Sequence, residues 1–203
     1  MRLRSAIAAG ALALALATPA LADITVLAGP APGALDPVSF NNGDTGFLIT
    51  GLVGPSDAEV AFNGAEALTV QGQKIKAVAG DFNFLLFTLA DAGLSFTGAQ
   101  FNLNAAADGL TSILAYDQFG NAFGGNFAVD RAGANIFNVA AAAGQTIQSI
   151  VVMSNAPIDD VSQVRLGGIL AALVPEPASW AMMILGFGAT GATLRLRRRT
   201  AVV

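Results

Sequence analysis

Neither cysteine nor histidine occurs among the 203 residues. Their absence excludes a Ser-His-Asp or Cys-His nucleophile, a thiolate metal site and a disulfide framework. Charge is scarce as well. Only 12% of residues are charged, and the formal net charge of -4 excludes the basic footprint of a nucleic-acid binder. There is one Trp and one Tyr. What is plentiful is apolar: 54% of residues are hydrophobic and mean hydropathy is +0.60. That excludes a disordered chain and directs attention to segments that belong to a membrane.

Both ends read as such segments. Met1-Arg2-Leu3-Arg4 is a cationic start, residues 6–17 are apolar and uncharged, and Ala20-Leu21-Ala22 is a small-residue cleavage site. These are the three parts of a secretory signal peptide, residues 1–22, and its apolar part is too short to span a bilayer. Cleavage after Ala22 leaves Asp23 as the new N-terminus. At the other end, residues 177–194 carry no charge and are followed at once by Arg195, Arg197, Arg198 and Arg199. This pattern predicts a short transmembrane helix stopped by a cytoplasmic arginine cluster, with the body of the chain outside. Trp180 sits where an interfacial aromatic belongs, and Gly186, Gly188 and Gly191 give the helix a small-residue face.

Just before this run stands Pro175-Glu176-Pro177, a stiff tripeptide that refuses helix and is presented as an extended protease substrate. The order Pro-Glu-Pro, then Trp180-Ala181 with its apolar run, then the arginines, resembles the PEP-CTERM sorting signal in its PEP-x-x-WA form. The resemblance covers residues 174–203. It implies recognition by an exosortase, a membrane cysteine protease-transpeptidase of Gram-negative exopolysaccharide producers. That enzyme would process the chain near Pro175, Glu176 and Pro177 and sort it to the cell surface or extracellular polymer. Six of the ten basic residues lie in the two ends, so the body, residues 23–173, holds 4 basic residues against 13 carboxylates.

The body predicts an all-β fold, an antiparallel, jelly-roll-like β-sandwich of roughly 8–11 strands. Short apolar or alternating runs occur at 24–28, 47–53, 59–62, 68–70, 75–79, 82–89, 100–103, 112–116, 127–130, 135–139, 146–153 and 163–169. Turn signals such as Asn63-Gly64 and Gly124-Gly125-Asn126 separate them. Phe101 and Leu103 share one face of their strand, and Gln100, Asn102 and Asn104 the other. Ile136 and Val139 break phase, which predicts a bulge or bend. Residues 147–152 are apolar on both faces, which predicts a central strand. The 12 Phe of the body fill the core. Residues 135–139, 144–150 and 158–168 also resemble the closing strands of exported PEP-CTERM bodies, some of which look like carbohydrate-binding modules.

Candidate sites in the body are few. Asp159 and Asp160 read either as a Ca²⁺ site of clustered oxygens or as a turn capped by Asp at a strand entrance. Tyr116 and Asp117, within Tyr116-Asp117-Gln118-Phe119-Gly120-Asn121, read either as a sugar contact or as a hairpin turn. Arg165 is expected to pair with Asp159 or Asp160. Lys74 and Lys76 are expected to form a solvated, edge-protecting face. No pair of carboxylates is marked for glycoside hydrolysis. The expectation is a non-enzymatic surface or matrix protein with no cofactor, anchored in the inner membrane before sorting. The alternative is a carbohydrate-binding module, with a Ca²⁺-dependent form.

Overall fold

A computed structural model describes residues 24–131, 133–142, 144–171 and Phe187. The expected signal segment with Ala20 and Ala22 lies outside the described residues. So does the expected sorting tail, including Pro175, Glu176, Pro177, Trp180, its glycines and its arginines.

The chain forms strands β1 (Ile24–Ala28), β2 (Asp36–Phe40), β3 (Thr45–Val53), β4 (Ala58–Val70), β5 (Ile75–Ala77), β6 (Phe82–Leu89) and β7 (Leu94–Ser95). After these come β8 (Gly98–Ala105), β9 (Gly109–Asp117), β10 (Ala122–Val129), β11 (Asn135–Ala141), β12 (Ile147–Gly167) and β13 (Leu170–Ala171). A single 3-10 turn, Gly54–Ser56, separates β3 from β4. All pairings are antiparallel, as expected of a β-sandwich.

Two long strands serve more than one neighbour set. The first half of β12 pairs with β6 and β9 through Ser149–Met153, and the second half pairs with β8 and β2. The crossover falls at Asn155-Ala156-Pro157, where the register with β6 shifts between Met153 and Ile158. A proline breaks a ladder, so it sits where one ladder ends and the next begins. The two runs expected at 146–153 and 163–169 are therefore the ends of one 21-residue strand, and the first half is central, as its two apolar faces predict.

In the same way, the runs at 59–62 and 68–70 are joined in β4. Asn63-Gly64 is not a turn: Leu48 pairs with Asn63 and Gly46 with Leu68, so the intervening residues bulge out of the ladder. Gly124-Gly125-Asn126 is likewise strand, in register with Leu114, Ile113 and Ser112. Gly124 has φ +138, and a Cβ there would land on the carbonyl oxygen of Ile113. Glycine is thus required by close backbone approach rather than by reversal. The bulge expected near Ile136 is absent, since β11 runs in unbroken register with both β1 and β8. Asn138 is buried on the outer face because its amide donates to the Gly29 carbonyl at 2.9 Å, beneath the loop after β1.

Phenylalanine organises the core. Phe40, Phe62, Phe87, Phe101, Phe137 and Phe127 form a chain of ring contacts with centroids 5.2–6.1 Å apart. Four of these rings (Phe62, Phe87, Phe101 and Phe137) are fully buried, each contributing about 1.5–3 kcal/mol of transfer free energy. Two phenylalanines expected inside are not: Phe47 is 63% exposed and Phe119 69%.

Candidate functional site

On the outer face of β8, opposite Phe101 and Leu103, stand Asn102 and Asn104. This is the alternation expected from the sequence. Across the ladder Asn102 pairs with Ser162, and Asn104 with Asp160. The hairpin between β4 and β5 and the start of β2 rise beside them. Together they line a groove of about 630 Å³ whose walls include Pro37, Val38, Gln73, Lys74, Gln163 and Arg165.

Asp160 is the anchor of this face. The Lys74 ammonium lies 3.1 Å from its Oδ2, and the Asn104 amide donates to its Oδ1. The same amide donates to Ser162 Oγ at 3.3 Å, and the Asn102 amide donates to Asn104 Oδ1 at 3.2 Å. Lys74 is therefore the partner of Asp160, while its side chain stays 44% exposed to solvent. The expected pairing of Arg165 with Asp159 or Asp160 does not form, because a register shift between Ser162 and Arg165 displaces it along the strand. Arg165 is exposed and makes no ion pair with any described residue.

That register shift is a β-bulge at Gln163, whose φ is +52. Gln73 has φ +64 and follows Gly72, φ +57, in a two-residue hairpin turn whose twist suits left-handed residues. Its side chain clasps β2: Oε1 accepts from the Phe40 amide at 3.0 Å and Nε2 donates to the Phe40 carbonyl at 2.9 Å. Among the described residues only one other non-glycine, Asp57, has positive φ. Two of the three strained positions thus border the groove, and strain of this kind costs about 1–3 kcal/mol at each.

One group in the groove lacks a partner. Asn102 is 7% exposed and its Oδ1 is buried with no hydrogen bond. Such an orphan costs about 1–3 kcal/mol. The sequence alternation placed Asn102 on this face, but no local signal marks Gln73, Gln163 or the orphaned oxygen.

The other expected residues lie elsewhere. Asp159 and Asp160 are in the interior of β12, not at a strand entrance, and a register shift between Ile158 and Asp160 makes Asp159 the extra residue of a second bulge. The two carboxylates take different partners. Asp159 lies beside the Asp81 carboxyl. Loss of water around the Asp159 carboxyl raises its pKa first; the Asp81 carboxyl and the charge of Asp160 raise it further, against the pull of Lys76. No group of three or more carboxylates able to hold a metal occurs among the described residues.

Tyr116 and Asp117 sit at the hairpin from β9 to β10, and neither lines the groove. Asp117 is 1% exposed. Its Oδ1 accepts from the amides of Phe119 and Asn121 and its Oδ2 from the Asn121 side chain, each at 2.8 Å. Burial pushes the Asp117 carboxyl up, but these bonds outweigh it and hold it below the ordinary 3.8. The carboxylate shapes the turn. Tyr116 is half-buried, opposite Ala122 and Ser149.

The fold and groove define an all-β, β-sandwich body. The particular signal is at the C-terminus: the chain carries the PEP-CTERM protein-sorting motif across residues 173–199. No curated protein matches. Among solved structures, CBM29_1, a family 29 carbohydrate-binding module from Piromyces equi, is 10% identical, with a TM-score of 0.33, over 70% of this chain and 89% of that one. A mutant of CBM29-2, from the same module family, is 11% identical, with a TM-score of 0.23, over 74% of this chain and 90% of that one. Superpositions this loose carry no weight for site or ligand. Among the described residues no helix is long and apolar enough to cross a membrane.

Proposed function

We propose that this chain is a non-enzymatic exported protein whose chemistry is done to it by an exosortase. Residues 1–22 direct export and are removed. Residues 174–203 hold the precursor in the inner membrane until the enzyme acts at Pro175-Glu176-Pro177. The body of residues 23–173 is then delivered to the surface or exopolysaccharide matrix of a Gram-negative bacterium. The observation that carries this reading is the sorting motif over residues 173–199. Support for a non-enzymatic body comes from the lack of His and Cys. The groove carboxylate points the same way, since Asp160 is spent on Lys74 and Asn104. Mass spectrometry of the chain from host cells with and without exosortase tests it. The expected result is a product lacking the tail only where the enzyme is present. An intact tail in both would end the reading.

The second reading is a carbohydrate-binding body in the same location. The polar groove over β8 and β12 favours it. Its Ca²⁺-dependent form is tested by polysaccharide retention with and without a chelator.

A further inference from the structure

Hydrogen-bonding capacity in the groove is unevenly spent. Asp160 uses one oxygen on Lys74 and the other on Asn104. Asn104 uses its amide on Asp160 and Ser162 and its oxygen on Asn102. Two of the capacities left over stand side by side. Asn102 Oδ1 has no donor. Ser162 Oγ accepts from Asn104 and still has its own proton to give.

Asn102 and Ser162 are directly opposite in the β8–β12 ladder, which brings their side chains to about 5 Å. An acceptor without a donor beside a donor without an acceptor is the complement of a hydroxyl, which gives and takes at one oxygen. A phosphate or carboxylate has no proton for Asn102, and an ammonium has no lone pair for Ser162. One water could fill this single position. The groove, at about 630 Å³, falls in the range of ligand sites, roughly 300–1,000 Å³. Farther along it, Gln163 and Arg165 present exposed side chains that bond to no described residue, while Pro37 supplies an exposed apolar edge. The bulge that aims Gln163 into the groove is kept despite its strained backbone.

We propose that this groove binds a neutral, hydroxyl-rich saccharide. Asn102 and Ser162 hold one hydroxyl, and Gln163 and Arg165 reach the next. Asn102 Oδ1 is buried and meets the ligand only on a turn about χ2, a broad torsion in asparagine, which gives up the bond from its amide to Asn104 Oδ1. The 13 carboxylates of the body against 4 basic residues disfavour an anionic polymer through the overall field. No aromatic ring lines the groove, so the sugar is held by its hydroxyl edge rather than by a ring face. The proposal rests on the carbohydrate-binding reading and is independent of sorting.

Affinity electrophoresis of the full chain in detergent, in gels containing dextran, galactomannan or hydroxyethylcellulose with alginate as the anionic comparison, tests it. Wild type should be slowed by at least one neutral polymer. Asn102→Ala and Gln163→Gly should each weaken that retention about ten-fold. Gln163→Gly suits the left-handed backbone, so its loss of retention reads the ligand contact and not unfolding. Absence of retention on every neutral polymer, retention on alginate alone, or unchanged retention in both groove variants would overturn the proposal. So would loss in Tyr116→Ala with the groove variants unaffected. Exosortase-dependent processing of the same variants is read separately in host cells: intact processing without retention rejects the groove alone, and retention without processing rejects the sorting reading alone.

Discussion

The two halves of β12 belong to one strand and meet opposite demands. From Ser149 to Met153 it runs in regular register between β6 and β9, with Ile150 and Val152 buried and Val151 half-buried on the other face. From Ile158 to Gly167 it is interrupted twice by bulges, and buried residues alternate with Asp159, Gln163 and Arg165, which are exposed. In the second half, bulges redirect individual side chains and polar groups are buried with partners, and on the neighbouring β8 one acceptor, Asn102 Oδ1, is left without any. A strand in regular register between two neighbours has little freedom to place chemistry; a bulged strand can carry strain and polarity that its neighbours offset.

The contrast is sharpest where the packing half is cut. Phe87 is paired with Ile150 and touches the rings of Phe62 and Phe101. Phe87→Ala is expected to cost about 3–5 kcal/mol, measured as a loss in urea or thermal unfolding. A cost below 1 kcal/mol would show that the core under β12 is not tightly packed. Next in size is Asp117→Ala, which removes the hydrogen bonds that close the β9–β10 hairpin. About 2 kcal/mol is expected. Because the folded pKa of Asp117 lies below its unfolded value of 3.8, its contribution is full above that value and is lost as pH falls through the lower folded pKa. Wild type should therefore lose stability in that acid window, and Asp117→Asn should lose less. An identical acid profile for the two would remove the argument.

The groove half should respond in the opposite sense. Gln163→Gly relieves a left-handed glutamine and is expected to raise stability by about 0.5–1 kcal/mol while saccharide retention falls. A destabilised Gln163→Gly would mean that the side chain, not the ligand, holds the bulge. The smallest effect is expected at Asp159, which is exposed. Its folded pKa is raised, so its contribution is full below 3.8 and is lost as pH rises through the higher folded value. Asp159→Asn should thus be slightly more heat-stable than wild type at neutral pH, by roughly 1 °C, with the gap closing in acid. A gap that widens in acid would refute the Asp81–Asp159 contact.

Much of this was legible in the residue order. Alternation in β8 separated Phe101 and Leu103 from Asn102 and Asn104 before any neighbour was known, because a strand exposes its side chains to alternate faces whatever it packs against. The double-sided apolar run in β12 marked a central strand for the same reason. Misreadings arose where one local signal has two tertiary meanings. Gly124-Gly125 looks like a reversal and is a close approach to Ile113. Asn63-Gly64 looks like a turn and is paired strand at the edge of a bulge. Asp159-Asp160 looks like a strand entrance and lies inside β12.

Residue order alone also carries the sorting motif of residues 173–199, since a Pro-Glu-Pro tripeptide, an apolar run and terminal arginines form a linear pattern. It determined that the body must be held without disulfides, on a phenylalanine-rich core. Only the tertiary structure decided which polar residues meet. Lys74 reaches Asp160, Gln73 clasps Phe40 and Ser162 stands opposite Asn102, across separations of 86, 33 and 60 positions. Contacts of that range depend on strand order and register, which are set by the packing of the whole core and leave no periodic trace around any one of the residues involved.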